Sequence, residues 1–164
     1  MSKIDKDELE GFTKSCHELI LSQQTFSLST ASANGVPDIS YTPFVRDRTG
    51  LFYIFVSELA SHTANLLNNP RASIMIIRPE SESPNLFARE RAVFCCNVKE
   101  IMPNAEIYTT RLNMLQDKFG EVVSLLRSLS DFHLFELQPQ SGRYVVGFGR
   151  AFTIDVKDGS LSHI

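Results

Sequence analysis

The feature that most constrains this chain is a series of short β-prone runs, each closed by a turn signal. Thr25 to Ser32 sets Phe26, Leu28 and Thr30 against smaller polar residues, the period of a strand with one buried face. Asn34-Gly35 follows and predicts a two-residue hairpin turn. Pro37 to Arg46 then reads as the return strand. Asp47-Arg48-Thr49-Gly50 turns the chain into Leu51-Phe52-Tyr53-Ile54-Phe55-Val56, completing an antiparallel meander. Further strands are predicted over Arg71 to Ile77, Leu86 to Ile101, Phe132 to Gln138 and Arg143 to Ile154, the last two joined through Pro139-Gln140-Ser141-Gly142. The regular strand–helix alternation of a parallel sheet does not occur. The expected class is mainly β, a closed or partly closed antiparallel barrel of about six strands with peripheral helices.

The helices are read from a different period. Leu9, Phe12, Cys16, Leu19 and Ile20 recur at three- and four-residue steps and predict an amphipathic helix from about Asp7 to Gln23. Ser61 to Asn69 reads as a short helix with Ser61 as its cap and Pro70 as its stop. Ile107, Leu112, Leu115, Phe119, Val122, Val123, Leu126 and Leu129 keep a helical rhythm interrupted at Gly120, which predicts two helical pieces. A length of 164 residues suits one core. The expectation is a single domain over 1–164 with an N-terminal helix and a helical insertion at about 104–129.

Composition excludes several function classes. A formal charge of -3 with scattered Lys and Arg offers no basic stripe for nucleic acid. The charged opening Met-Ser-Lys-Ile-Asp-Lys-Asp-Glu lacks the apolar run of a secretory signal, and no later stretch has the length of a membrane span. A soluble, cytoplasmic protein is therefore expected. The three cysteines, Cys16, Cys95 and Cys96, form neither a disulfide framework nor a paired zinc motif, and are read as reduced core thiols.

Four segments carry a resemblance: Ser40-Tyr41-Thr42-Pro43-Phe44-Val45; His62-Thr63-Ala64-Asn65-Leu66 with Asn69-Pro70; Leu86-Phe87-Ala88-Arg89-Glu90-Arg91; and Asp131-Phe132-His133-Leu134-Phe135 with Gly147-Phe148-Gly149. Together they resemble the haem-utilisation proteins of the HugZ/HutZ type, a branch of the pyridoxamine 5'-phosphate oxidase-like, FMN-binding split-barrel superfamily. The resemblance implies a six-stranded split β-barrel of Greek-key type. It also implies a homodimer with the cofactor pocket between subunits.

Two cofactors are implied, and the residues weigh between them. Flavin-using relatives hold the FMN phosphate with an Arg and a Lys on the second strand and a Ser-Arg-Lys triplet opening the next helix. Here Ser40 and Val45 stand at the strand positions and the triplet reads Ser61-His62-Thr63. Most of the cationic clamp that charge-assisted phosphate binding favours is missing. An FMN oxidoreductase, with Ser57, Ser61, His62, Thr63 and Tyr41 around the flavin, is the alternative reading; Ser61 also reads as a plain helix cap.

For haem the resemblance implies an axial histidine near the C-terminus. His163 is the candidate iron ligand, although it departs from the family's Gly-His context, and a native tail beyond it is an open alternative. Asp131 matches an aspartate that orients the axial histidine of the neighbouring subunit, with a turn carboxylate as the other reading. Arg91 matches a guanidinium at the haem edge or distal side, and Arg89, read as lying on the same strand face, suits a propionate; surface ion pairing is the alternative for both. His62 is placed on the propionate or distal side, His17 at the surface or an interface, and His133 in a structural role. The preferred expectation is a haem-binding protein that assists oxidative haem degradation with an external electron donor. A haem carrier without turnover fits the same residues.

Overall fold

The computed structural model describes residues 4–164. Helix α1 (Lys6–Ser22) starts where the Asp5 side chain accepts from the Glu8 amide, and buries Cys16, Leu19 and Ile20 as its spacing predicts. Strands β1 (Thr25–Ala31), β2 (Pro37–Pro43), β3 (Val45–Arg46) and β4 (Phe52–Ser57) follow. Next come α2 (Ser61–Asn68), β5 (Arg71–Ile77) and β6 (Arg91–Ile101). Helices α3 (Tyr108–Phe119) and α4 (Glu121–Arg127), parted at Gly120 with φ 80°, lead to β7 (Phe132–Val145). Two short strands, β8 (Ala151–Ile154) and β9 (Leu161–His163), end the chain.

The sheet order is β2-β1-β5-β6-β7-β4-β3, every pairing antiparallel. Its two ends, β2 and β3, are one run of chain interrupted only at Phe44. The predicted return strand from Pro37 to Arg46 thus pairs with β1 through its first part and with β4 through its last, and the sheet curls into a barrel. Six runs of chain make the ring, and β8 and β9 extend the sheet beyond β7. The mainly β, split-barrel class is as expected; the strand count is larger by this extension.

Several boundaries differ from the sequence reading, each for a local reason. The Asn34-Gly35 hairpin is not a two-residue type I′ turn, which needs positive φ at both central residues. Among the described residues only glycines have positive φ, so Gly35 alone takes the left-handed position while Ser32 N–H bonds Val36 O across a three-residue loop. Leu86 to Ala88 forms a short 3₁₀ turn, so β6 starts at Arg91 and Arg89 precedes the strand. Pro139-Gln140-Ser141-Gly142 does not break β7. A register shift opposite Cys95/Cys96 absorbs one residue there, a bulge that tolerates the missing proline N–H. The break falls instead at Gly147-Phe148-Gly149, where Gly149 has φ 68° and the chain doubles back into β8.

Gly142 of β7 is buried against the core. A Cβ there would lie 2.9 Å from both the Ile154 Cβ and the Phe94 ring. Gly142→Ala is therefore expected to destabilise the fold by about 1–3 kcal/mol through overpacking; an unchanged denaturation midpoint would refute this placement.

The main core fills the barrel with Phe26, Phe44, Phe52 and Phe94 packed ring on ring, and α1 lies over one side of it. A second cluster, on the outer side, packs Leu112, Leu115 and Val123 of α3 and α4 against Val45, Tyr53, Ile101 and Leu134. Of the cysteines, Cys16 and Cys96 are buried thiols, whereas Cys95 is exposed because strand alternation turns it outward.

His133, read as structural, is tied to carboxylates on both ring nitrogens. Its ring bridges two carboxylates, Nδ1 to Glu100 at 2.6 Å and Nε2 to Glu58 at 2.8 Å. The Glu58 bond, then the Glu100 bond, raises its pKa above the ordinary 6.5. A raised folded-state pKa stabilises fully below the unfolded value and fades as pH climbs through the folded one. His133→Gln should flatten the decline of stability above pH 6.5, as read from urea midpoints at several pH values; an unchanged slope would remove His133 as its source.

Candidate functional site

The predicted site residues fall into two groups at opposite ends of β7. One surrounds the start of α2. Ser57 closes β4 beside Phe132, at the first residue of β7, so Ser57 and Asp131 meet across the sheet edge. The Ser57 hydroxyl donates to Asp131 Oδ2 at 2.6 Å, and the Asp131 carbonyl accepts from the Glu58 amide. Thr63, fully buried, donates its hydroxyl to Ser57 O at 2.6 Å. Ser61 does not cap the helix: the cap position is Ala60, and the Ser61 hydroxyl is drawn to Asp38 Oδ2 of β2 at 2.5 Å. His62 is buried, with Nδ1 2.9 Å from Ser40 Oγ and with Nε2 buried and unpartnered. Burial holds its pKa below the ordinary histidine value and favours the neutral ring, against a smaller opposing pull from Asp38.

These contacts test whether the end of α2 can take a flavin phosphate. A hydroxyl has one proton to donate. Those of Ser57, Ser61 and Thr63 are all committed, two of them to carboxylates. Among the described residues neither Asp38 nor Asp131 has an ion-pair partner, so a phosphate would meet two uncompensated negative charges. The residues present do not fit an FMN phosphate clamp. Asp38 was not visible as a site residue in the sequence; it reaches Ser61 only through the β1–β2 hairpin, and no local motif marks it.

The second group lies at the far end of β7. Arg91 pairs with Val145 of β7, and the row Ala92, Tyr144, Phe152, His163 runs across β6, β7, β8 and β9. His163 is thus a strand residue, its ring edge-on to Phe152 at 5.6 Å and Nε2 3.4 Å from Gly149 O, with the side chain exposed. Arg91 faces outward from the barrel and spends one N–H on Arg89 O at 2.9 Å. Arg89 does not share that strand face. It lies in the preceding loop, its Nε donating to Arg78 O at 2.6 Å and its Nη1 3.4 Å from Glu80. That self-contained bonding favours the ion-pairing role for Arg89. Tyr41 stands exposed on the same outward face as Arg91, in the row Tyr41, Ser27, Met75, Val93, Arg143.

Nearly all of the 14-residue β7 separates Asp131 from His163. That is roughly 40 Å along the strand at about 3.3 Å per residue. Within one chain the two cannot meet. An imidazole on one half-site and a carboxylate on the other can combine only if a second subunit brings them together.

A comparison with known proteins decides the family. Residues 12–146 match the family model described as Pyridoxamine 5'-phosphate oxidase. The chain belongs to the pyridoxamine 5'-phosphate oxidase family. Within that family it is 34% identical, over 95% of its own length and 89% of the other's, to a Vibrio cholerae protein named Heme oxygenase HutZ. The crystal structure of HutZ, there described as the heme storage protein of Vibrio cholerae, superposes with a TM-score of 0.77 at 35% identity, over 85% of this chain and 97% of that one. Campylobacter jejuni ChuZ gives a TM-score of 0.85 at 30% identity over 99% of this chain; the chain spans 65% of the ChuZ chain. Within the family this sequence groups with HutZ, as its four motifs suggest. Among the described residues no helix is long and apolar enough to cross a membrane, and no cluster of His, Cys, Asp and Glu is arranged to hold a metal ion.

Proposed function

We propose that this chain is a haem-binding protein of haem utilisation that acts as a cytoplasmic homodimer, one split-barrel unit per subunit, and assists oxidative haem degradation for iron release. The observation that carries the reading is the state of the α2 end. The place where flavin-using relatives clamp a phosphate has its hydroxyls turned onto Asp38 and Asp131. The likeness to HutZ over 95% of the chain supports the same choice.

The donor set suits haem. The exposed His163 imidazole would ligate iron, and Asp131 of the neighbouring subunit would bond the far ring nitrogen and raise its basicity. Arg91, with most of its fork unspent, would face a propionate or the distal side. His62, buried beside the Asp131 half-site, would line that side from the neighbouring subunit, and Arg89 would hold the loop that leads into Arg91. Bound haem would supply the redox chemistry, with electrons from an external donor. The protein's part is to fix the ligand, neutralise the propionates and exclude water.

Purified full-length protein is expected to show no flavin absorbance and to develop a ligated-haem band on addition of hemin. With ascorbate and oxygen the band should fade. A band that persists would assign carriage without turnover, and flavin present in proportion to the chain would overturn the reading.

A further inference from the structure

A groove of about 500 Å³ opens between the end of α1, the β2–β3 junction and α3, and shares no residue with the half-sites above. Its size falls in the range of roughly 300–1,000 Å³ occupied by small-molecule sites. The walls are apolar, from Ile20, Leu21, Val45 and Met114. Two cations enter it. The half-buried Arg46 stacks over the Phe52 ring at 5.3 Å, and its Nε is buried with no hydrogen-bond partner. Lys118 is exposed along its stem but turns its ammonium inward, donating to Phe44 O at 2.8 Å and lying 4.4 Å from the Phe44 ring centre.

Among the described residues neither cation has a carboxylate within ion-pairing distance. The acidic side chain lining the groove is the exposed Asp117, which leaves one positive charge in excess. An anion entering the groove would give both cations the charge-assisted partner they lack. We propose that this groove binds a small amphipathic carboxylate, its head between Arg46 and Lys118 and its tail along Ile20, Leu21, Val45 and Met114. The site is independent of the haem reading.

The test uses haem-free full-length protein with methyl-labelled methionine, titrated with octanoate and, separately, with 1-octanol. Octanoate should bind saturably and shift the Met114 signal while Met75 and Met102 stay in place. The alcohol, which lacks the charge, should bind about tenfold or more weaker. Arg46→Met and Lys118→Met should each bring octanoate down to the level of the alcohol. Equal affinity for acid and alcohol, an unmoved Met114 signal, or full octanoate affinity in Lys118→Met would overturn the proposal. Lys118 is exposed, so that arm stands even if Arg46→Met fails to fold.

Discussion

Phe52→Ala is expected to lower the unfolding free energy by about 3–5 kcal/mol, the range for removing a fully buried aromatic. Phe52 is inaccessible to solvent and stands at the middle of the aromatic core, with centroids 6.0 Å from Phe26, 5.6 Å from Phe44 and 5.6 Å from Phe94. These rings come from β1, the β2–β3 junction, β4 and β6, so one truncation loosens contacts among runs of chain around much of the barrel. The cavity cannot close by a local shift, because the neighbours belong to a hydrogen-bonded ring. The Arg46 guanidinium above Phe52 would lose its cation–π partner as well. Urea denaturation followed by circular dichroism measures the loss; a change under about 1 kcal/mol would mean that Phe52 is not central to the core.

The second large effect concerns the divided site. His163→Ala should abolish the histidine-ligated haem spectrum, and Asp131→Ala should weaken haem binding by about 10–100-fold, as loss of a carboxylate behind a metal-bound histidine does. Mixing the two variants under conditions that exchange subunits should restore part of the signal. A mixed dimer pairs the intact His163 of one subunit with the intact Asp131 of the other, so random re-assortment gives about a quarter of the wild-type sites. No restoration on mixing would place both residues in one subunit's site or remove one of them from it. An unchanged spectrum in His163→Ala would remove the axial assignment outright.

The two halves of this site differed in how far the linear sequence could reveal them. Ser57, Ser61, His62 and Thr63 come together because they flank a single β4–α2 connection, and proximity along the chain is enough to bring them to one place. Their partners are another matter. Asp38 meets Ser61, and Asp131 meets Ser57, through strand pairings across 23 and 74 residues, and it is those carboxylates that turn a phosphate-like helix end into one hostile to phosphate. Arg89 shows the opposite error. Alternation along a supposed strand put it beside Arg91, but a 3₁₀ turn at Leu86–Ala88 ends that periodicity before it reaches the strand. His163 reads as a loose terminus until β9 pairs with β8, whose own partner β7 lies in the barrel.

Residue order alone was enough to set the period of most segments, the helix at the N-terminus, the break at Gly120 and the mainly β class, because these rest on local propensity and on which face of an element is apolar. Tertiary pairing had to decide that Pro37 to Arg46 serves both edges of the sheet, that β7 runs unbroken through Pro139, and that Asp131 and His163 lie a strand's length apart. The reason is physical: a hydrogen-bond register between distant strands is fixed by the packing of the whole barrel, and no short stretch of residues encodes it.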